Sequence, residues 1–251
     1  AALALLMTLK TSLVRLPLGG AKGGIRVDPN VLSRREKQSL TRRYTSEIFM
    51  FIGPDKDIPA PDVGTDQQTM AWVMDTYSSQ VGYAVPGVVT GKPIEIGGSL
   101  GRLDATGRGV VYCIIEAAKR LNMDLGANTT VAVQGFGNVG FHSARIVQEI
   151  GCKVVAVSDV SGGMYNPKGL DLNDLRDWLG KNRTFKGYPN ADFVTNEELL
   201  VLPVDILIPA ALDNQITKSN ASHLKCKIIA EGANGPTTAD ASDILNDMGV
   251  F

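Results

Sequence analysis

Along the first fourteen positions Leu3, Leu5, Leu6, Leu9 and Leu13 fall on a helical spacing that Pro17 brings to a close. A second helix is predicted after the turn Asp28-Pro29-Asn30. Ser33 caps it, Glu36 completes a capping box, and Leu40, Tyr44, Ile48 and Phe51 or Ile52 make its apolar stripe. Thr65 or Asp66 caps a third helix running to about Gln80. From Thr106 the pattern becomes an alternation. Val110, Val111, Ile114, Ile115, Ala118 and Leu121 define a helix, and Thr130 to Val133 a buried strand. Ala144, Ile146, Val147 and Ile150 mark the next helix, and Lys153 to Val157 a strand closing at Asp159. A helix near Leu170–Leu179, a strand Val204–Ile208, a short helix, a strand Lys227–Ala230 and a helix from Pro236 to Met248 continue it. That order predicts a parallel α/β sheet of the doubly wound type.

The stretches between these elements carry the candidate chemistry. Leu16 to Gly24 crowds four glycines and an alanine around Lys22, a composition that lets other groups approach the backbone closely. Lys10 lies on the first helix among apolar neighbours, where a lysine ordinarily snorkels its charge to water. Gly53 to Thr65 is a proline-stiffened loop that holds Asp62, which by itself reads as a turn or cap aspartate. Thr90 to Gly101 is a second glycine-rich passage with the composition of a hinge or a ligand-facing loop.

Composition narrows the classes. A net charge of −1 with no basic block leaves no electrostatic footprint for nucleic acid. Cys113, Cys152 and Cys226 are odd in number and far apart, and read as reduced core residues of an intracellular, cytoplasmic protein. His142 and His223 have no metal-like spacing, so no metal site is expected. No apolar run approaches the about 18 residues that a bilayer span needs, and Ala1 to Met7 lacks the basic flank of a signal peptide. The opening helix has no cap and Met248-Gly249-Val250-Phe251 resembles the start of a strand, so the chain reads as an internal piece of a longer protein.

The most specific motif is Gly135-Phe136-Gly137-Asn138-Val139-Gly140, set between a buried strand and an amphipathic helix, with Asp159 ending the following strand. Gly135 allows the tight turn, Gly137 lets a pyrophosphate approach, and Gly140 lets the helix pack on the sheet. The helix N-terminus supplies amide donors and a favourable dipole. Asp159 is expected to accept from the adenosine ribose hydroxyls and to repel a 2′-phosphate, favouring NAD. Ser158, Ser161 and Lys168 are the residues that could hold such a phosphate and admit NADP.

With the lysine loop, the Pro59-Ala60-Pro61-Asp62 loop and this fingerprint in one chain, the sequence resembles the glutamate dehydrogenases. These belong to the wider family acting on glutamate, leucine, phenylalanine and valine. The resemblance extends through Gly97-Gly98-Ser99, Ala105-Thr106-Gly107, Pro209-Ala210-Ala211 and Glu231 to Thr238. It implies an N-terminal α/β substrate domain over residues 1–102, then a Rossmann-type doubly wound dinucleotide-binding domain over 103–251, with the reaction in the cleft between them. The implied reaction is the reversible NAD(P)-dependent deamination of L-glutamate to 2-oxoglutarate and ammonia, by a homo-oligomer that is typically a hexamer. Position by position, it implies Lys10 as the α-carboxylate ligand, Lys22 as the catalytic lysine and Asp62 as the acid–base group, with Ala60 beside the substrate. Thr106 and Asn138 would contact the nicotinamide half, and Ala210 and Asn234 the cofactor and nicotinamide-ribose side. In glutamate-specific members a lysine before Ala1 and a serine beyond Phe251 bind the side-chain carboxylate, so the residues setting specificity are expected outside this chain.

Elementary chemistry agrees with those roles. Hydride transfer from Cα leaves an imine that water must attack. A lysine beside a second cation and shielded from solvent has its ammonium form disfavoured, so it can polarise that water and take a proton. Lys10 serves as carboxylate partner and second cation, and Asp62 relays the proton at nitrogen. A leucine, phenylalanine or valine dehydrogenase and a catalytically silent subunit are the competing readings. Retention of Lys10, Lys22 and Asp62 weighs against the last.

Overall fold

A computed structural model describes residues 2–251. The chain forms two compact units that separate at the Arg102–Leu103 peptide.

The first unit has three helices, α1 (Ala2–Leu13), α2 (Arg34–Ile48) and α3 (Gln67–Val81), and 3-10 turns at Pro86–Val88 and Ile94–Ile96. Among its described residues there is no strand; one bridge pairs Ile52 with Asp57, so the α/β character of the chain resides in the second unit. Ser33 and Glu36 form the expected capping box on α2. Asp66, not Thr65, caps α3, and it forms a box with Thr69. Ile52 joins Met70, Val73, Val88 and Val89 in the core, while Phe51 is exposed. The leucines of α1 have the helical spacing expected of them but are exposed within the unit: Leu5 is 61% and Leu9 58% exposed.

The second unit is a six-stranded sheet in the order β4-β3-β2-β1-β5-β6. Its strands are β1 (Thr130–Gln134), β2 (Lys153–Asp159), β3 (Gly162–Tyr165), β4 (Asp192–Val194), β5 (Ile206–Pro209) and β6 (Ile228–Ile229). Its helices are α4 (Ala105–Arg120), α5 (Asn138–Glu149), α6 (Leu172–Asn182), α7 (Asn196–Leu200) and α8 (Ala239–Asp247). The expected parallel sheet exists as β2-β1-β5-β6; β3 and β4 add to it antiparallel. Val160 and Ser161 turn the chain straight back after β2, and Gly162, at φ 119°, opens β3 opposite Asp159, where a longer connection would have crossed over. Alternation along β1 feeds two apolar layers. Val131 and Val133 pack with residues of α4, α5 and α6, and Ala132 packs with residues of α7 and α8.

One carboxylate ties the starts of three parallel strands. Asp205 Oδ2 accepts from Thr130 N and Thr130 Oγ1, both at 2.9 Å, and Asp205 Oδ1 accepts from Lys227 Nζ at 2.9 Å. Beyond α8 the chain returns beside β6, where Phe251 N donates to Lys227 O and Ile229 N to Phe251 O, the strand-like course its sequence suggests. Cys152 and Cys226 are buried, and the Cys226 thiol is pushed up to about 11 by burial; Cys113, expected in the core, is exposed. Among the described residues no helix is long and apolar enough to cross a membrane.

Candidate active site and dinucleotide cradle

In the first unit the lysine loop is held from two sides. A Cβ on Gly20 would lie 2.0 Å from the Ala4 carbonyl oxygen, and one on Gly23 would lie 2.5 Å from the Tyr44 hydroxyl. These two glycines therefore seat the loop against α1 and α2, while Gly19 and Gly24 face open space. The Thr11 hydroxyl adds a bond to Leu18 O at 2.9 Å. The proline loop is held as firmly. Thr90 N donates to Pro59 O, and Gly91, at φ 74°, is packed so close to Pro61 that a Cβ would sit 2.4 Å from its ring. Thr65 braces Asp62, accepting from Asp62 N at 2.7 Å and donating from its hydroxyl and its amide to Asp62 O.

These two loops bring Lys22 and Asp62 into an ion pair between Lys22 Nζ and Asp62 Oδ2, while Asp62 Oδ1 accepts from Val63 N at 2.8 Å. The Lys22 hydrogen bond holds the Asp62 carboxyl below its ordinary range, and Lys10 adds to the same effect through its field. Lys22 and Asp62 thus form a charged pair that feels the field of Lys10; Ala60, two residues before Asp62, is exposed. Asp62 is not the helix cap that its sequence context also allowed, because Asp66 fills that position. Lys22 retains 33% of its side-chain exposure, so the shielding from solvent expected of it is not supplied by this unit.

In the second unit the fingerprint turn has the features a pyrophosphate needs. Gly135 is at φ 96°, and a Cβ there would lie 2.7 Å from Ala210 O; one on Gly140 would lie 1.8 Å from Gly135 O. Gly137 has nothing within 4 Å of its Cβ position. It is the N-cap of α5 and provides no side-chain cap, so the first-turn amides of α5 are left for an anion. These features fit a dinucleotide. Phe136 packs edge-on to Phe141 and tilted on Phe185, and Val139 lies against the core. Asn138 Nδ2 donates to Leu103 O at 3.1 Å, tying the start of α5 to the start of α4, where Thr106 sits. Ala210 N donates to Gln134 O at 2.7 Å, and a Cβ on Gly232 would meet the Ala210 Cβ at 2.9 Å. The Pro209–Ala210 segment therefore packs directly beside the Gly135 turn, and the chain leading to Asn234 packs on that segment. Asp159 ends β2 half-buried, and its Oδ1 accepts from Ser161 N and Ser161 Oγ.

Sequence reasoning missed the cluster that fastens α4 to α5. Asp104 Oδ2 accepts from Arg108 Nη2 at 2.6 Å and Arg145 Nη2 at 3.1 Å, and the Arg108 bond holds the Asp104 carboxyl below its ordinary range. The Asp104–Arg108 half was legible as an i, i+4 pair. Arg145 lies on a different helix and gave no signal.

Comparison with known proteins gives a consistent picture. Residues 97–251 match the family model described as Glutamate/Leucine/Phenylalanine/Valine dehydrogenase, and residues 1–79 match the Glu/Leu/Phe/Val dehydrogenase dimerisation domain. The glutamate dehydrogenase of Thermotoga maritima is 55% identical over 100% of this chain and 60% of its own length. The catabolic NAD-specific glutamate dehydrogenase RocG of Bacillus subtilis is 49% identical over 100% of this chain and 58% of its own. The crystal structure of a hetero-hexameric glutamate dehydrogenase from Thermus thermophilus matches with a TM-score of 0.94 and 42% identity, covering 100% of this chain and 59% of that one. The chain spans about three-fifths of the length of these relatives. With one model covering the whole second unit and the other most of the unit before it, the chain belongs to the glutamate/leucine/phenylalanine/valine dehydrogenase family.

Proposed function

We propose that this chain carries the catalytic and cofactor-binding parts of an NAD-dependent glutamate dehydrogenase, which deaminates L-glutamate reversibly to 2-oxoglutarate and ammonia in the cytoplasm. The single observation that carries this reading is the Lys22–Asp62 pair lying within the field of Lys10. Lys10 binds the substrate α-carboxylate and fixes Cα. Asp62 takes a proton from the substrate ammonium, so that nitrogen can push electrons toward Cα. The hydride acceptor for Cα would be supplied by NAD when bound. Lys22 then polarises the water that attacks the imine carbon and takes its proton; Asp62 returns a proton to nitrogen, and the carbinolamine hydroxyl gives its proton to solvent as the carbonyl forms and ammonia leaves.

The fingerprint turn would hold the pyrophosphate on the α5 amides, with Thr106, Asn138, Ala210 and Asn234 toward the nicotinamide half and Asp159 on the ribose. The preference for NAD over NADP is supported by what happens to the groups that might have held a 2′-phosphate. Ser158 is fully buried and its hydroxyl bonds to Asn196. Ser161 spends its hydroxyl on Asp159 and accepts from Phe185 N. Lys168 lies in a groove with Cys152 and Lys153, at the opposite end of β2 from Asp159.

The test is NADH formation by the full-length protein with glutamate, leucine, phenylalanine and valine in turn. Glutamate is expected to be the best substrate; turnover of leucine alone, or of none of the four, rejects the reading. Lys22→Ala should abolish turnover and leave NAD affinity within about twofold, since the two sites share no residue.

A further inference from the structure

The C-terminal edge of the sheet carries a chain of polar contacts that none of these steps uses. Gln134, the last residue of β1, is 1% exposed. Its Nε2 donates to Gln215 Oε1 at 2.9 Å, and its Oε1 is buried without a hydrogen-bond partner. Gln215 Nε2 in turn donates to Asp213 O at 3.0 Å. The backbone around Gln215 is bonded to the loop after Asn234. Asn214 N donates to Gly235 O at 3.0 Å, Ile216 N to Pro236 O at 2.8 Å, and Thr238 N to Ile216 O at 2.9 Å. Residues 213–217 are thus a strap: the Gln215 side chain holds that of Gln134, and the backbone on either side of it, at Asn214 and Ile216, holds residues 235–238.

A buried acceptor without a donor lowers stability, and leucine, of similar size, would remove it. The sheet does not need this amide, because the main chain of Gln134 is already paired with Ser158 and Pro209 across its two neighbouring strands. What the amide adds is a fixed distance. The phosphate turn begins at the next residue, Gly135, and Asn234 immediately precedes the carbonyl of Gly235 that the strap grips. The strap therefore links the strand end beside the phosphate turn to the loop that carries Asn234, the groups that on the NAD reading meet opposite halves of a dinucleotide.

We propose that Gln134 and Gln215 are positioning residues that set the Asn234 loop at a fixed spacing from the phosphate turn, so that both halves of NAD are bound at once. This rests on the reading of the second unit as an NAD site. The test compares NAD+ with ADP, which carries the phosphates and adenosine but no nicotinamide ribose, by calorimetry on the full-length protein. In Gln134→Leu and in Gln215→Leu the Kd for NAD+ should rise about tenfold while that for ADP stays within about twofold, with no loss of Tm in Gln134→Leu. The double variant should bind NAD+ no more weakly than either single, because each already breaks the same link. Unchanged NAD+ affinity in a folded single variant overturns the proposal, as does equal weakening of NAD+ and ADP, which would make the amide part of the phosphate turn itself. Failure of the unsubstituted protein to bind either ligand would instead sink the NAD reading, and the strap with it.

Discussion

Alanine would separate the glycines of the fingerprint turn by the job each one does. At Gly140 a methyl would lie 1.8 Å from Gly135 O, so the turn or the helix must move. Gly140→Ala should cost about 2–4 kcal/mol in urea unfolding, the range of a serious backbone clash. At Gly137 a methyl meets nothing within 4 Å, and φ there is −76°, which alanine adopts freely. Gly137→Ala should therefore unfold within about 0.5 kcal/mol of the parent. Its NAD affinity should nevertheless fall about tenfold or more, because the methyl would stand where the proposed cradle receives the pyrophosphate. A stable Gly137→Ala with undiminished NAD binding would place the phosphates elsewhere. The charged group of the first unit teaches a related lesson about legibility. The sequence allowed Asp62 to be a cap, and only the resemblance favoured catalysis; the structure gives the cap to Asp66 and leaves Asp62 on Lys22. Pairs 40 residues apart leave no periodic trace.

At the scale of elements, α4 meets α5 in a close seam. Gly107 makes it possible: a Cβ there would lie 2.7 Å from Ser143 N and 2.8 Å from His142 Cβ. This seam traps His142, whose Nδ1 is buried without a partner, and Asp104 faces it from the start of α4, with Arg108, Arg145 and Arg176 around it. Burial pushes the His142 pKa below its ordinary value, Arg145 pushes the same way, and Asp104 opposes them. Below about pH 6.5 the unfolded chain takes up a proton that the folded chain refuses, so stability present at pH 7 is lost as the pH falls toward 5. Asp62, with its depressed pKa, stays ionised through that window and does not contribute to the slope. Thermal melts from pH 7 to 5 should show a smaller decline in His142→Gln than in the parent; equal declines would mean the seam leaves the imidazole free to charge. The elements that built this seam were legible, because α4, α5, β1 and β2 are long enough to show a period. β3 and β4 were not. Four residues and three residues give no alternation to read, and Gly162-Gly163 looks like a plain turn.

For the molecule as a whole, periodicity identifies a helix face without saying what it meets. The α1 leucines point away from the core of their own unit, with Leu3, Leu5, Leu6, Leu9 and Leu13 all at least 43% exposed. An apolar face of this kind marks an association surface, and it lies within residues 1–79, which match the dimerisation domain of the family. Replacing Leu5 and Leu9 together with Glu should shift the full-length protein to smaller species in sedimentation velocity; an unchanged distribution would remove α1 from the assembly. The Asp205 clasp has a consequence in time rather than in space. Thr130 faces Lys153 across one edge of β1, but its partner across the other edge lies 75 residues further along the chain. At about 5–20 residues per second of synthesis, the second edge waits roughly 4–15 s for β5 to be made. Throughout that interval Val131, Ala132 and Val133 present an open hydrophobic edge of the kind that invites pairing between chains. The strand at the centre of the finished sheet is, during its manufacture, the most exposed to error.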